Sequence, residues 1–330
     1  MPATREVRAI AGMAEHVTAM IRSFSAGDDE GFYAVALQVA AREARLGHNR
    51  LADEIRQAVD ASRSALPSGS VTHLAQPKGE VADLVVASNP EVTLCDLVLP
   101  EDLMVSIKRV LAEQRQRTQL LDHGFTPVHR LLLDGPPGTG KTMTASVLAH
   151  ELSLPLFTVR LDSLLSKYMG ETAGKLRLLF DAAAQRRGVY LFDEFDALGG
   201  DRAGNDVGEA RRILNSFLVF LEQASPESLV IAATNHRAIL DRALFRRFDL
   251  VLTYRLPEES DVRLVIRGRL GSLATVPRWD KVKKAAAGLS HADLVKAAET
   301  AAKNALLRGD DHVTADDLVQ ALDERQAGGA

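Results

Sequence analysis

The sequence predicts an α/β fold: a parallel sheet covered on both faces by helices, with a small helical bundle before it and a helical segment after it. Three observations carry this reading. Between about Val81 and Pro257, apolar runs ending in polar residues alternate with helical stretches, the pattern of a parallel sheet. Before that region, apolar residues recur at three and four with no strand signal. After Pro257 the strand signal stops.

In residues 1–63, Val7, Ile10, Ala14, Val17, Ile21 and Phe24 give a helix over about Arg5 to Phe24 one apolar face. SAGDDEG breaks it. A second helix follows over Phe32 to Leu46, with Asp28 to Glu30 near its positive end. Leu51, Ile55 and Val59 mark a third. Residues 64–80, SALPSGSVTHLAQPKGE, lose all periodicity and read as a linker. Residues 81–257 hold the apolar runs HRLLLDG, LPLFTVRL, GVYLFDEFD, SLVIAATN and DLVLTYRL. Helices over Thr142 to Leu152, Ala173 to Gln185 and Ala210 to Gln223 separate them. Ligands in such sheets bind at the carboxyl ends of the strands. Residues 258–325 read as a helical domain: Glu258 to Leu270, Trp279 to Ala287, Ala292 to Leu307 and Thr314 to Ala321. Thr314 before ADDL is its last N-cap, and the closing QAGGA is expected to fray.

The chain has 330 residues, about two domains at the usual ~100–200 residues each. Hydrophobic residues make up 46%, enough for a well-buried core. A net charge of −4 and a pI near 6.2 speak against a general affinity for nucleic acid or acidic membranes. The single cysteine, Cys95, excludes an intrachain disulfide and is expected to be a small buried packing residue rather than a nucleophile. The N-terminus lacks the apolar stretch of a signal peptide, and no run approaches the ~18 apolar residues of a membrane span. A cytoplasmic location is the default expectation.

GPPGTGKT comprises Gly135, Pro136, Pro137, Gly138, Thr139, Gly140, Lys141 and Thr142. It follows a strand and opens a helix, the context of a phosphate-binding P-loop. Its glycines let the backbone wrap phosphates with N–H groups inward, and the helix N-terminus adds positive potential. Lys141 reaches the β- and γ-phosphates of ATP, and the Thr142 hydroxyl ligates Mg²⁺. In VYLFDEFD a buried strand delivers Asp193 and Glu194 to its tip. Asp193 is placed to hold Mg²⁺ through water, and Glu194 to act as general base on the attacking water. Asp196 is either structural or part of the site. Asn235, ending AATN, can orient the same water. Arg246 and Arg247 in ALFRRFD are candidates for an arginine supplied in trans to the γ-phosphate.

These motifs in this order resemble the AAA+ ATPases, specifically the AAA clade, over about Val92 to Leu322. GPPGTGKT is similar to Walker A, VYLFDEFD to Walker B, and Asn235 to sensor 1. NDVGEARRILNSFLVFLE, with Arg211 and Arg212, is similar to the region after the second pore loop. GLSHADL, Gly288 to Leu294, resembles the sensor-2 pattern G-x-S-G-A-D-L. The resemblance implies a P-loop NTPase core of five parallel strands in the order 5-1-4-3-2, with a C-terminal helical lid. It also implies adenine contacts from the backbone near Asp96 and Leu97, and a homo-oligomeric ring, a hexamer in this clade. Two departures stand out. The clade's R-P-G-R-F-D is shortened to RRFD, so one arginine is the finger and the other a salt-bridge partner; Arg247, next to Phe248-Asp249, is the expected finger. His291 replaces the pattern's glycine and reads as a neutral structural histidine, with a place near the adenine or the subunit interface as the alternatives.

SKYMGET falls where the clade carries an aromatic pore loop, often like KYVGE. Lys167, Tyr168 and Met169 are then the residues that grip a polypeptide, methionine and aromatics adapting to many side chains. GGDRAGNDVGE, Gly199 to Glu209, reads as a second pore loop. The implied function is a protein-remodelling motor, with residues 1–63 recruiting substrate or an adaptor. The sequence has no HExxH and no evident nucleophile–base set, so proteolysis would need a separate peptidase. The alternative is a loader or switch ATPase on a nucleic-acid-associated complex. It is disfavoured by the absence of a basic block, a zinc spacing or a helix-turn-helix signature.

Overall fold

The computed structural model describes residues 29–45, 48, 50–55, 57, 59, 80–164, 171–198, 207–236, 242–274 and 279–328. The chain divides into two compact units, Met1–His73 and Leu74–Ala330.

In the first unit, helix α1 spans Asp29–Arg45, close to the expected second helix, and buries Ala36 and Ala40. Described residues between 50 and 59 are also helical, with Ala52 and Val59 buried. The expected helix over Arg5 to Phe24 lies outside the described residues, as does nearly all of the expected linker. Its last residue, Glu80, begins a short helix, Glu80–Leu84.

The second unit is built on a six-stranded sheet: β1 (Val85–Ser88), β2 (Arg130–Asp134), β3 (Leu156–Val159), β4 (Val189–Phe192), β5 (Leu229–Thr234) and β6 (Leu250–Thr253). The order is β1-β3-β4-β5-β2-β6. The expected strands are β2 to β6, all parallel and in the order 5-1-4-3-2. The sheet is extended by β1, which pairs antiparallel with β3, Val85 opposite Val159. Five strands were therefore one too few. VVAS is short and follows a helix directly, so no turn residues announced it.

Side chains alternate across the sheet, as a strand period of two requires. Leu131, Leu133, Leu191 and Ile231 pack on one face with α2 (Glu101–Arg115) and α3 (Lys141–Glu151). Leu132, Tyr190, Phe192 and Val230 pack on the other with α4 (Glu171–Gln185) and α5 (Val207–Glu222). Burial on both faces explains why the strands read as apolar runs rather than as alternation.

The lid consists of α6 (Glu259–Leu270), α7 (Trp279–Ala285), α8 (His291–Arg308) and α9 (Ala315–Gly328) around its own core of Ile266, Val282, Leu294, Ala298 and Leu318. Thr314 caps α9 as expected: its hydroxyl and N–H bond the Asp317 carboxylate, at 2.6 and 3.0 Å. The expected fraying does not begin at Gln326. The helix continues to Gly328, because the Gln326 amide donates to the carbonyls of Ala285 and Ala287 at 2.9 and 3.2 Å. Among the described residues no helix is long and apolar enough to cross a membrane.

Candidate nucleotide site

The loop Gly135 to Gly140 joins β2 to α3, and its three glycines all have positive φ. At two of them the reason is also steric. A Cβ on Gly135 would lie 2.5 Å from the Tyr254 carbonyl oxygen, and one on Gly138 would overlap Ser290. Lys141, the first residue of α3, turns back over the loop, and its ammonium donates to the carbonyls of Gly135 and Pro136, both at 2.7 Å. Burial lowers its pKa, while Asp193, Asp134 and Asp196 pull it the other way. The cradle thus holds a buried cation beside unpaired helix N–H groups, which suits a polyphosphate. Thr139 closes the loop, its hydroxyl donating to the Pro136 carbonyl at 2.8 Å; Pro137 lies within the same turn.

Opposite the loop, β4 ends in Asp193 and Glu194. The Thr142 hydroxyl donates to Asp193 Oδ2 at 2.7 Å, and the Glu194 N–H donates to Asp193 Oδ1 at 2.9 Å. Glu194 is exposed and has φ 51, a left-handed conformation uncommon outside glycine. The turn is pinned from beneath by Phe195, fully buried with its ring 4.6 Å from that of Phe217. A strained residue at a strand tip, held by the core, marks a functional constraint on side-chain direction.

Asp196, left open between two roles, has a definite structural one. Its Oδ1 accepts from the Thr234 hydroxyl at 3.0 Å and from the Asn235 N–H at 3.3 Å. It ties the tip of β4 to the tip of β5 and so sets where Asn235 stands.

The short turn Leu94–Asp96 and Leu97 border a cavity of about 670 Å³, together with Met143 of α3 and Val265 and His291 of the lid. Asp96 and Leu97 line it as expected. Their amides, however, donate within the turn, to Thr93 and Leu94 carbonyls at 3.1 and 3.3 Å. The Asp96 carboxylate is held low in pKa by the N–H and hydroxyl of Thr93. Cys95 is exposed rather than buried and also lines the cavity. The cavity walls are mostly apolar, as a flat nucleobase requires.

Arg247 forms an ion pair with Glu222 at the end of α5. Arg246 is exposed and has no ion-pair partner among the described residues. Both arginines are exposed, and they differ in that Arg247 is engaged by Glu222. Lys167, Tyr168 and Met169 lie outside the described residues, as do Gly199 to Asp206 of the second glycine-rich segment. They belong to connections between described elements: the first between the short helix Leu161–Leu164 and α4, the second before α5.

Two contributors escaped the sequence reading. Tyr254, just past β6, donates its N–H to the Asp134 carbonyl at 2.6 Å and its buried hydroxyl to Thr144 Oγ1 at 2.7 Å. It buttresses the loop from below. Ser290 caps α8 and packs on Gly138, and the amide two residues on, that of Ala292, donates to the Gly138 carbonyl at 3.0 Å. The signal for Tyr254 was the DLVLTYRL run, which continues three residues past the paired strand. For Ser290 it was the S-x-x-D capping pattern.

Residues 131–256 match the family described as "ATPase family associated with various cellular activities (AAA)". An uncharacterized AAA family ATPase of Sinorhizobium fredii, y4kL, is 34% identical over 317 residues, covering 93% of this chain and 94% of its own. The ATP-dependent zinc metalloprotease FtsH 3 of Sphaerobacter thermophilus is 33% identical over 76% of this chain, which spans only 53% of that protein. The crystal structure of the FIGL-1 AAA domain is similar with a TM-score of 0.58 and 26% identity, covering 75% of this chain and 90% of that one.

Proposed function

The chain belongs to the AAA family of ATPases, and we propose that it uses ATP hydrolysis to unfold, remodel or thread proteins through the pore of a homo-oligomeric ring, a hexamer, in the cytoplasm. It binds and hydrolyses ATP. The observation that carries the rest is the position of SKYMGET: it links the carboxyl side of β3 to α4, between the phosphate loop and the β4 tip in sequence. Tyr168 and Met169, with Lys167 beside them, then hold the polypeptide.

In this reading Lys141 and the loop amides bind the phosphates. Thr142 and Asp193 offer a hydroxyl and a carboxylate oxygen 2.7 Å apart. These are hard oxygen donors of the kind Mg²⁺ takes alongside substrate phosphates, and the ion would neutralise phosphate charge. Glu194 takes the proton of the attacking water, which Asn235, set by Asp196, orients. Arg246 reaches the γ-phosphate of the neighbouring subunit, which is why a ring is required; a heterologous contact that closes gives one. Residues 1–63 recruit the substrate or an adaptor, and a separate peptidase is the partner where remodelling feeds degradation. FtsH 3, a relative that carries a protease, supports that coupling.

The test is capture. Glu194→Gln protein in ATP should hold substrate without turning over. Recovery of polypeptides supports the reading; recovery of nucleic acid or its complexes would replace it with a loader or switch.

A further inference from the structure

Among the nitrogen- and oxygen-bearing side chains that line the 670 Å³ cavity, three are engaged. Asp96 is held by Thr93, at 2.8 Å from its N–H and 2.9 Å from its hydroxyl. Arg269 pairs with Glu299 at 2.7 Å, and Thr139 donates to Pro136. The fourth is His291. Neither Nδ1 nor Nε2 has a hydrogen-bond partner, and both are out of contact with solvent although the residue lines the cavity. Buried polar atoms left unpaired are costly and call for an explanation. A half-turn about Cβ–Cγ exchanges each ring nitrogen for a ring carbon in nearly the same volume, so the ring can offer nitrogen to the cavity without repacking.

We propose that His291 is a base-binding residue: with its ring turned, one nitrogen makes a hydrogen bond to the adenine of ATP. This rests on the reading of the cavity as the nucleobase site. Adenine carries an amine donor and ring-nitrogen acceptors on its rim, and a neutral imidazole carries one donor and one acceptor. Burial favours the neutral ring, lowering its pKa against the pull of Asp261. The need for such a group is local. The Asp96 and Leu97 amides already donate within their own turn, so neither is free to donate to the base. The backbone N–H after His291 holds Gly138, so the residue reading the base sits one position from a contact to the phosphate loop.

The experiment follows the histidine ring nitrogens by NMR in isotopically labelled full-length protein during titration with ADP. Calorimetry with ADP and with inorganic tripolyphosphate, which has no base, accompanies it. The His291 nitrogen resonances should move as ADP saturates. His291→Ala should weaken ADP by about 3- to 10-fold, one hydrogen bond, and leave tripolyphosphate unchanged. His291→Asn should recover part of the loss. Saturation by ADP with unmoved ring nitrogens would overturn the contact, as would wild-type ADP affinity in His291→Phe. An equal loss for tripolyphosphate would also overturn it, the histidine then acting only through the loop. Failure of wild-type protein to bind ADP while tripolyphosphate still binds would overturn the nucleobase site itself.

Discussion

The Thr142 hydroxyl and the Asp193 carboxylate, 51 positions apart in sequence, are hydrogen-bonded at 2.7 Å. That bond joins the start of α3 to the end of β4 and fixes both oxygens on one small volume. Thr142→Ala and Asp193→Asn should therefore fail alike: turnover should fall by about a hundredfold or more, and added Mg²⁺ should not restore it. ATP affinity measured with and without Mg²⁺ is the check. Wild type should show a difference that both variants lose.

Glu194 should separate binding from chemistry. Glu194→Gln keeps the backbone turn and removes the base, so kcat should drop by ~10²–10⁴ with ATP affinity retained. A variant with wild-type turnover would remove Glu194 from the mechanism.

Arg246 and Arg247 should behave differently. Arg246→Ala should cost ~10³–10⁵ in turnover and be partly rescued when mixed with Lys141→Ala subunits, since one interface then holds both intact halves. Arg247→Ala removes the partner of Glu222 and should chiefly lower stability, read as a shift in the thermal transition. Equal complementation by both variants would contradict the division of labour.

Tyr254→Phe should destabilise the protein by about 0.5–1.5 kcal/mol in urea. The loss is limited because Thr144 keeps a second bond, to the Gly140 carbonyl at 3.0 Å. Tyr168→Ala, in contrast, should leave basal ATPase activity and stability unchanged and abolish processing of a tagged polypeptide.

Chemistry that depends on consecutive residues was the most legible. GPPGTGKT, DEFD and the parallel strands are local patterns with one physical solution each. What depends on pairs distant in sequence was not. The β1 edge strand is stabilised by β3 rather than by its own four residues. The ion pair of Arg247 depends on Glu222, more than twenty positions upstream. Tyr254 looked like the tail of a strand because nothing in its neighbours reveals Thr144 above it. Cys95 was expected inside and lies exposed, since its three-residue turn has too little structure to cover it.

The bond from the Ala292 amide to the Gly138 carbonyl gives the phosphate loop a second duty. The loop is a bearing on which the lid rests. Any swing of the lid must drag the glycine along or part that bond, so a mechanical load on the lid registers as a change in how tightly phosphate is held. By reciprocity, the arrival and departure of phosphate does work on the lid.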